Sequence, residues 1–398
     1  MFKKKRVYLD YAAATPLSGR ALKAMRPYLE SDFGNASAIH TEGVLARQAV
    51  EAARERIACA LQVRPEFVTF TSGGTEANNL AIVGTVEALA REGRSFAEME
   101  VVTTEIEHPS VMNTMKMLGV RGVKVKYVPV DEYGLVRLTA LQEMLSAQTV
   151  LFSVAYANSE IGVVQKLHAI KKALAAAEKR FGTEIIFHLD AAQAPLWLSC
   201  QFGTLGADLV TLDVGKCEGP KGVGVLVRGR GARLVSTLFG GGQESGLRPG
   251  TENVAGIVGA SIALQEAQKD FKSRAEKVSQ VRDAGIKYIL KEIPQAILNG
   301  PSGGERLANN INISIPGLDT EFATIVLDKQ GFAVSTKSAC AGAGGGESLV
   351  VKAISGDADR SLATLRLSLS PQSTLADLKR LTAILKQHIN KMAKLPRA

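Results

Sequence analysis

The sequence predicts an α/β protein with one large, mostly parallel seven-stranded sheet sandwiched by helices, and a smaller α+β region after it. Three observations carry this. Helical and strand-like periods alternate from about residue 17 to 260, the pattern that lays helices over both faces of a parallel sheet. Seven short apolar runs fall within that stretch. After Gly240-Gly241-Gly242 and Thr251-Glu252-Asn253-Val254 the pattern becomes a long helical tract running to about Lys291.

The apolar runs at 67–71, 101–104, 123–128, 150–155, 185–189, 209–212 and 223–227 are too short for helices and rich in β-branched residues, so each is a predicted strand. Predicted helices include 43–61, with Val44, Ala49, Ala53, Ile57 and Ala60 inward, then 75–92 and 169–179. Strands near 311–315 and 364–369 and a closing helix from Leu375 to about Met392 make up the smaller region. The expected division lies near residue 263: a large domain over 15–262, and a small α+β domain formed by 1–14 with 263–398. No internal repeat or linker-like run interrupts the chain.

A chain of 398 residues can hold two domains, and 46% apolar with 22% charged residues is ordinary for a soluble globular protein. No run approaches the roughly 18 apolar residues of a membrane span. The basic start, Met1-Phe2-Lys3-Lys4-Lys5-Arg6, leads into Val7-Tyr8-Leu9-Asp10-Tyr11 instead of a signal-peptide core, so a cytoplasmic protein is expected. Cysteines at 59, 200, 217 and 340 show no metal-ligand or disulfide spacing, so no metal site is expected. The net charge of +9 favours acidic partners, but no aromatic-interleaved basic stripe accompanies it, and no nucleic acid is expected.

Two predicted strands are followed by groups of opposite charge. Asp190 lies in His188-Leu189-Asp190-Ala191-Ala192-Gln193, and Lys216 in Val214-Gly215-Lys216-Cys217-Glu218. A lysine amine that forms a Schiff base and a carboxylate that keeps a pyridine nitrogen protonated are what a pyridoxal 5′-phosphate (PLP) enzyme requires. Flanked by Ile185-Ile186-Phe187 and Ala191-Ala192, the Asp190 carboxylate is expected to be partly buried and to need a partner. Lys221 is the rival lysine, but Gly219-Pro220-Lys221-Gly222 reads as a tight surface turn, which favours Lys216.

Other residues fit around that pair. In Phe70-Thr71-Ser72-Gly73-Gly74-Thr75-Glu76-Ala77-Asn78-Asn79 a strand turns through glycines into a helix; Gly73 and Gly74 admit an anion to backbone N–H groups and Thr75 adds a hydroxyl, with a plain N-cap turn as the alternative. His108 opens a helical stretch after Val101-Val102-Thr103-Thr104, placed to stack on a ring or shuttle a proton unless it is structural. Asn158 and Gln193 are candidates for a ring oxygen, or for turn and helix-start roles. Cys340 lies in the polar, glycine-rich tract Ser335-Thr336-Lys337-Ser338-Ala339-Cys340-Ala341-Gly342, where Lys337 favours a thiolate; Cys59, in an apolar helical pattern, is expected to be buried. Arg366 is a charge inside an apolar strand and needs an anion, either a protein acid or a substrate carboxylate.

Together these residues resemble the cysteine desulfurases, the sulfur-mobilising branch of the class V aminotransferases with the fold-type I PLP architecture. The resemblance runs from Tyr8-Leu9-Asp10-Tyr11-Ala12-Ala13 to Arg366 and includes Phe33-Gly34-Asn35-Ala36-Ser37, Thr71-Ser72-Gly73-Gly74-Thr75-Glu76, Glu107-His108, Asn158-Ser159-Glu160-Ile161-Gly162, His188-Leu189-Asp190-Ala191-Ala192-Gln193, Gly219-Pro220-Lys221-Gly222 and Ser338-Ala339-Cys340. It implies phosphate contacts from Gly74 and Thr75, ring stacking by His108, Asn158 and Gln193 at the ring oxygen, Asp190 at the pyridinium and Lys216 at the Schiff base. Thr251 matches a residue that reaches the phosphate of the neighbouring subunit, which implies a homodimer. Arg366 matches the substrate-carboxylate arginine and Cys340 the nucleophile that takes sulfur as a persulfide, on a loop whose length is like that of the branch serving iron–sulfur scaffolds.

Three departures stand out. Asp213 and Gly215 occupy positions where the family usually places serine and histidine, Lys337 replaces a usual glycine, and the tract after Cys340 is nearly all alanine and glycine. The Asp213 carboxylate is expected to turn aside, toward a backbone donor or Arg248. The expected activity is a PLP-dependent L-cysteine desulfurase giving L-alanine and a Cys340 persulfide, for transfer to an acceptor protein such as an iron–sulfur scaffold or a tRNA-thiolation carrier. A selenocysteine lyase or another class V enzyme, and a weakly active PLP-binding sulfur-assembly scaffold, are the alternatives.

Overall fold

The computed structural model describes residues 6–336 and 346–392. After β1 (Val7–Tyr8), two helices, α1 (Gly19–Glu30) and α2 (Thr41–Leu61), lead into β2 (Val68–Thr71). Then α3 (Gly74–Arg91), β3 (Glu100–Thr104), α4 (Pro109–Val120), β4 (Lys124–Val128), α5 (Leu138–Met144), β5 (Thr149–Ala155), α6 (Leu167–Phe181) and β6 (Ile186–Asp190) alternate regularly. A short helix α7 (Phe202–Leu205), then β7 (Leu209–Asp213) and β8 (Gly224–Arg228), complete a seven-stranded sheet of order β2-β8-β7-β6-β5-β3-β4.

That sheet is mostly parallel, as the sequence predicts; only β8 runs against its neighbours β2 and β7. β3, β5 and β6 are buried almost throughout, which suits strands covered by helices on both faces. The outer strand β4 instead exposes Lys124, a charge that discourages pairing with another sheet edge.

Two details differ from the sequence reading. In α2 the buried face is Gly43, Ala46, Val50, Ala53, Arg54, Ile57, Ala58 and Leu61, so Ala53 and Ile57 point inward while Val44, Ala49 and Ala60 are only half-buried. The stripe is rotated because Gly43 packs against Ala38, where an added Cβ would lie 2.5 Å from the Ala38 oxygen, and because Arg54 turns inward to Glu244 at 2.8 Å. Cys59, one residue beyond Ala58 and thus about 100° round the helix, is exposed rather than buried.

The long helical tract is also broken in two, α8 (Val254–Lys269) and α9 (Phe271–Glu292), at Asp270. The Arg274 guanidinium stabilises the break: Nη1 donates to Ala267 O at 2.9 Å and to Leu196 O at 3.1 Å, satisfying a carbonyl that the end of α8 leaves open. α8, which contains position 263, packs on α1 and α2.

Beyond α9, β9 (Ile297–Leu298), β10 (Asn310–Ser314) and, after α10 (Thr320–Lys329), β11 (Phe332–Ala333), α11 (Leu349–Ser355) and α12 (Ala358–Leu362), β12 (Thr364–Ser368) form a three-stranded antiparallel sheet β12-β10-β9 and a separate parallel pair β1-β11. α13 (Leu375–Met392) packs on α9 and α10. Residues 9–12 lie along β12: Ser368 N donates to Leu9 O at 2.7 Å and Ala12 N to Ser368 Oγ at 2.9 Å. The start of the chain is thereby joined to the C-terminal sheet. Among the described residues no helix is long and apolar enough to cross a membrane.

Candidate active site

Parallel strands deliver their carboxyl ends to one rim of the sheet, and a single cleft opens there. Its walls are Gly74, Thr75 and Asn78 after β2; His108 and Ser110 after β3; Ala155, Ala157, Asn158 and Ser159 at and beyond the end of β5; Asp190, Ala192 and Gln193 from β6 onward; and Asp213 and Lys216 after β7. The space between these walls, open solvent included, is about 450 Å³.

Asp190 ends β6 with its carboxylate 7% exposed. Oδ2 accepts from Asn78 Nδ2 at 2.8 Å and Oδ1 from Ala192 N at 3.0 Å, so the acid is fixed yet keeps acceptor capacity for a further donor. Asn78 also reaches Ser110 Oγ at 2.9 Å, while its own Oδ1 is buried without a partner. The sequence reading missed this residue, although its position four after Gly74 puts it on the same face of α3.

His108 caps α4: Nδ1 accepts from Ser110 N at 3.1 Å and lies 2.7 Å from Ser110 Oγ. Burial, reinforced by the nearby Lys216 charge, pushes its pKa below the ordinary histidine value. A neutral ring accepting at Nδ1 carries its proton on Nε2. Beside it, Glu107 is a buried carboxyl pushed up to about 8, chiefly by burial and further by the Asp190 charge; Oε1 accepts from Thr104 Oγ1 at 2.6 Å. Burial thus favours the protonated form of Glu107, which lessens the negative charge alongside Asp190.

Lys216 closes a short 3₁₀ turn, Val214–Lys216, capped by Asp213 Oδ1, which accepts from Gly215 N at 3.0 Å. Thr15 holds the same turn from the other side: its Oγ1 donates to Gly215 O at 3.0 Å and accepts from Glu218 N at 2.7 Å. Gly219 has no room for a side chain, since a Cβ would lie 2.1 Å from Val214 Cγ1. Lys221 is exposed outside the cleft, its Nζ donating to Thr15 O.

At the opposite end of the cleft, α3 begins at Gly74 after Gly73, whose φ of 151° is a conformation L side chains rarely adopt. Backbone N–H groups at this helix start suit an anion. Asp213 intrudes here: a Cβ built on Gly74 would lie 3.2 Å from Asp213 Cβ and 3.4 Å from Oδ2. The carboxylate does take a backbone donor, Gly215 N, but not Arg248, whose Nε donates to Glu76 Oε1 at 3.1 Å.

Asn158 and Gln193 carry prior commitments. Asn158 Oδ1 accepts from Glu160 N and Ile161 N at 2.9 and 3.0 Å, and Nδ2 donates to Ile106 O at 2.8 Å. Gln193 Nε2 donates to Ala12 O at 2.9 Å. Each amide nitrogen keeps a second hydrogen for a ligand. Arg366, on β12, lies just behind the wall, where Nη1 donates to Ser159 O at 3.2 Å. Thr251 is exposed and does not line the cleft. Cys340 lies outside the described residues. Cys217 and Cys200 are buried, and burial pushes both thiols well up, which disfavours either as a thiolate.

An amine and a buried carboxylate lining one cleft, with an anion-binding helix start at its end, define a fold-type I PLP transferase. The residues present would suit that cofactor: an amine at Lys216 could take its aldehyde, the buried Asp190 carboxylate a ring N–H, and the start of α3 a phosphate, with His108 and Asn78 in the cleft wall. The chain belongs to the class V aminotransferase family, whose model, described as "Aminotransferase class-V", matches residues 7–381. It is 37% identical to the cysteine desulfurase IscS of Dictyoglomus turgidum over 98% of this chain and 96% of that protein. It is also 37% identical to an IscS-like cysteine desulfurase of Mycobacterium tuberculosis, covering 93% of each chain. Among solved structures, a NifS-like protein superposes with a TM-score of 0.88 at 30% identity, over 97% of this chain and all of that one. SspA in complex with cysteine does so with a TM-score of 0.77 at 31% identity, over 92% and 99%.

Proposed function

We propose that this protein is a PLP-dependent L-cysteine desulfurase, releasing L-alanine and passing the sulfur to an acceptor protein through a persulfide on Cys340. The observation that carries this reading is the convergence of Lys216 and Asp190 on one cleft, in a chain similar over its whole length to named cysteine desulfurases. Bound PLP supplies an aldehyde for amines and a protonated ring that takes up electron density.

The chain's own groups then have defined tasks. Asp190 holds the ring nitrogen's proton, and His108 fixes the ring plane. Asn158 and Gln193 offer their remaining amide hydrogens to the ring oxygen. Lys216 would hold the cofactor's aldehyde in the resting enzyme and, once its amine is free, would move the proton from the substrate Cα. Arg366 binds the substrate carboxylate. The Cys340 thiolate attacks the substrate Sγ, forming an S–S bond as the Cβ–S bond breaks; protons returned to Cβ and Cα complete L-alanine.

We also propose a homodimer that works in the cytoplasm, with an iron–sulfur scaffold or a thiolation carrier as acceptor. Phe33, Ile39 and Phe239 are 79%, 94% and 94% exposed, a degree that suits a surface covered by a second copy. The segments that carry them meet where Gln243 Nε2 donates to Ser37 Oγ at 3.5 Å. Thr251 lies in the second segment and is the proposed contact to the neighbouring subunit's phosphate.

The test is to incubate the cofactor-loaded protein with L-cysteine and measure alanine, sulfide released by a reductant, and protein-bound persulfide. Equal alanine and sulfur are expected. Lys216→Ala should abolish both, together with the borohydride-reducible cofactor adduct. Full turnover by Lys216→Ala would overturn the assignment.

A further inference from the structure

Arg366 presents an unusual account of charge. It is 1% exposed in the middle of β12, where a guanidinium left without an anion is costly. Among the described residues its one carboxylate partner is Asp10, with Nη2 to Oδ1 at 2.9 Å. Nη1 donates to Ser159 O in the cleft wall, and among the described residues the buried Nε has no partner. The guanidinium is thus neutralised by an acid of the chain itself, while its Nε–H is left unused by the described residues.

Asp10 is held in place by its backbone. The segment around it runs beside β12, with Tyr11 N donating to Ser368 O at 3.2 Å and Ser368 N to Leu9 O at 2.7 Å. Its side chain is 19% exposed, so the carboxylate can exchange its partner for solvent at lower cost than Arg366 can.

We propose that Asp10 is a specificity-determining residue: an internal carboxylate that neutralises Arg366 and competes with the carboxylate of the substrate for it. This rests on the assignment of Arg366 to the substrate carboxylate. A ligand that brings an anion replaces the charge Asp10 supplies, whereas an uncharged ligand of the same shape has nothing to exchange for the Asp10 contact. Asp10 therefore sets how strongly the site prefers an amino acid to its amide, and keeps affinity for carboxylates below what a bare guanidinium would give. Because the competition is between like charges, neutralising Asp10 must tighten carboxylate ligands selectively.

The experiment is calorimetric titration of the cofactor-loaded protein with L-alanine and with L-alaninamide, using wild type, Asp10→Asn and Arg366→Ala. Asp10→Asn is expected to bind L-alanine at least five-fold more tightly and L-alaninamide unchanged, and to gain more thermal stability from L-alanine than wild type does. A residue that only supports the fold would not separate the two ligands. Asp10→Ser, which removes the charge in a smaller volume, is read in the same way should the asparagine variant not fold. If Asp10→Asn binds L-alanine equally or more weakly while Arg366→Ala loses it, the competition is wrong and the carboxylate role of Arg366 stands. If Arg366→Ala binds L-alanine as wild type does, that role fails, and the inference with it.

Discussion

Replacing Asp213 by serine should tighten the hold on PLP. The carboxylate shares the anion end of the cleft with the start of α3, its Oδ2 3.4 Å from where a side chain on Gly74 would begin. A helix N-terminus offers an anion up to about 2 kcal/mol. Two unit charges about 4 Å apart repel by about 4 kcal/mol at an effective dielectric of 20, and by about 3 kcal/mol at about 6 Å. The repulsion thus outweighs the helix end, and Arg248 gives no relief because it is held by Glu76. Serine removes the charge and keeps an oxygen for the Gly215 N–H that Asp213 now caps. Asp213 is only half-buried, so solvent screens part of the effect; about 1–3 kcal/mol is expected, or roughly a 5- to 150-fold lower Kd. The assay is PLP release on dialysis together with titration of the apoprotein, and pyridoxal, lacking the phosphate, should bind both proteins alike. A serine variant that loses PLP faster would refute the electrostatic argument and show that the cap on the Lys216 turn is what the aspartate contributes.

Cys340→Ser should bind cofactor and L-cysteine normally yet form no persulfide, whereas serine at Cys59, Cys200 or Cys217 should leave turnover unchanged; mass spectrometry that places the persulfide on Cys217 would contradict this. Glu107→Gln should flatten part of the pH dependence of stability. The unfolded chain releases this proton from about pH 4.5 upward and the folded protein keeps it to about 8, so wild type loses stability as pH rises across that window. The unfolding free energy of Glu107→Gln relative to wild type, from urea titrations, should therefore climb between pH 5 and 8 by an amount on the order of a few kcal/mol, and a pH-independent difference would mean that Glu107 is not a neutral buried acid.

The sheet was legible because its strands are buried on both faces and read as unbroken apolar runs, as in β5. The rim of the cleft followed, since a polar residue placed just after such a run falls at a strand's carboxyl end; that logic reached Asp190, Lys216, His108 and Asn158. It could not reach residues whose role depends on where a helix turns or where a distant segment lands. Asn78 meets Asp190 only because α3 packs across the strand ends, and Thr15 meets the Lys216 turn from 200 positions away. Cys59 was misplaced for a related reason: an alanine-rich helix carries weak facial contrast, and the packing of Gly43 and Arg54 decided which side of α2 faced inward.

The first residues of the chain connect these observations. Between Leu9 and Thr15 the backbone touches β12 beside Arg366, accepts from Gln193 through Ala12 O, and grips the Lys216 turn through Thr15. One segment, turning at residues 11–13, thereby ties together the arginine assigned to substrate, an amide assigned to the ring oxygen, and the lysine assigned to the cofactor. Such a tie resists independent movement of the three, because shifting any one breaks buried hydrogen bonds made by the others, each worth about 1 kcal/mol net and more if left unsatisfied. Asp10 lies within this segment, so its charge acts on Arg366 at a point where the backbone is already held, and the preference it imposes need not be traded against the geometry of the lysine.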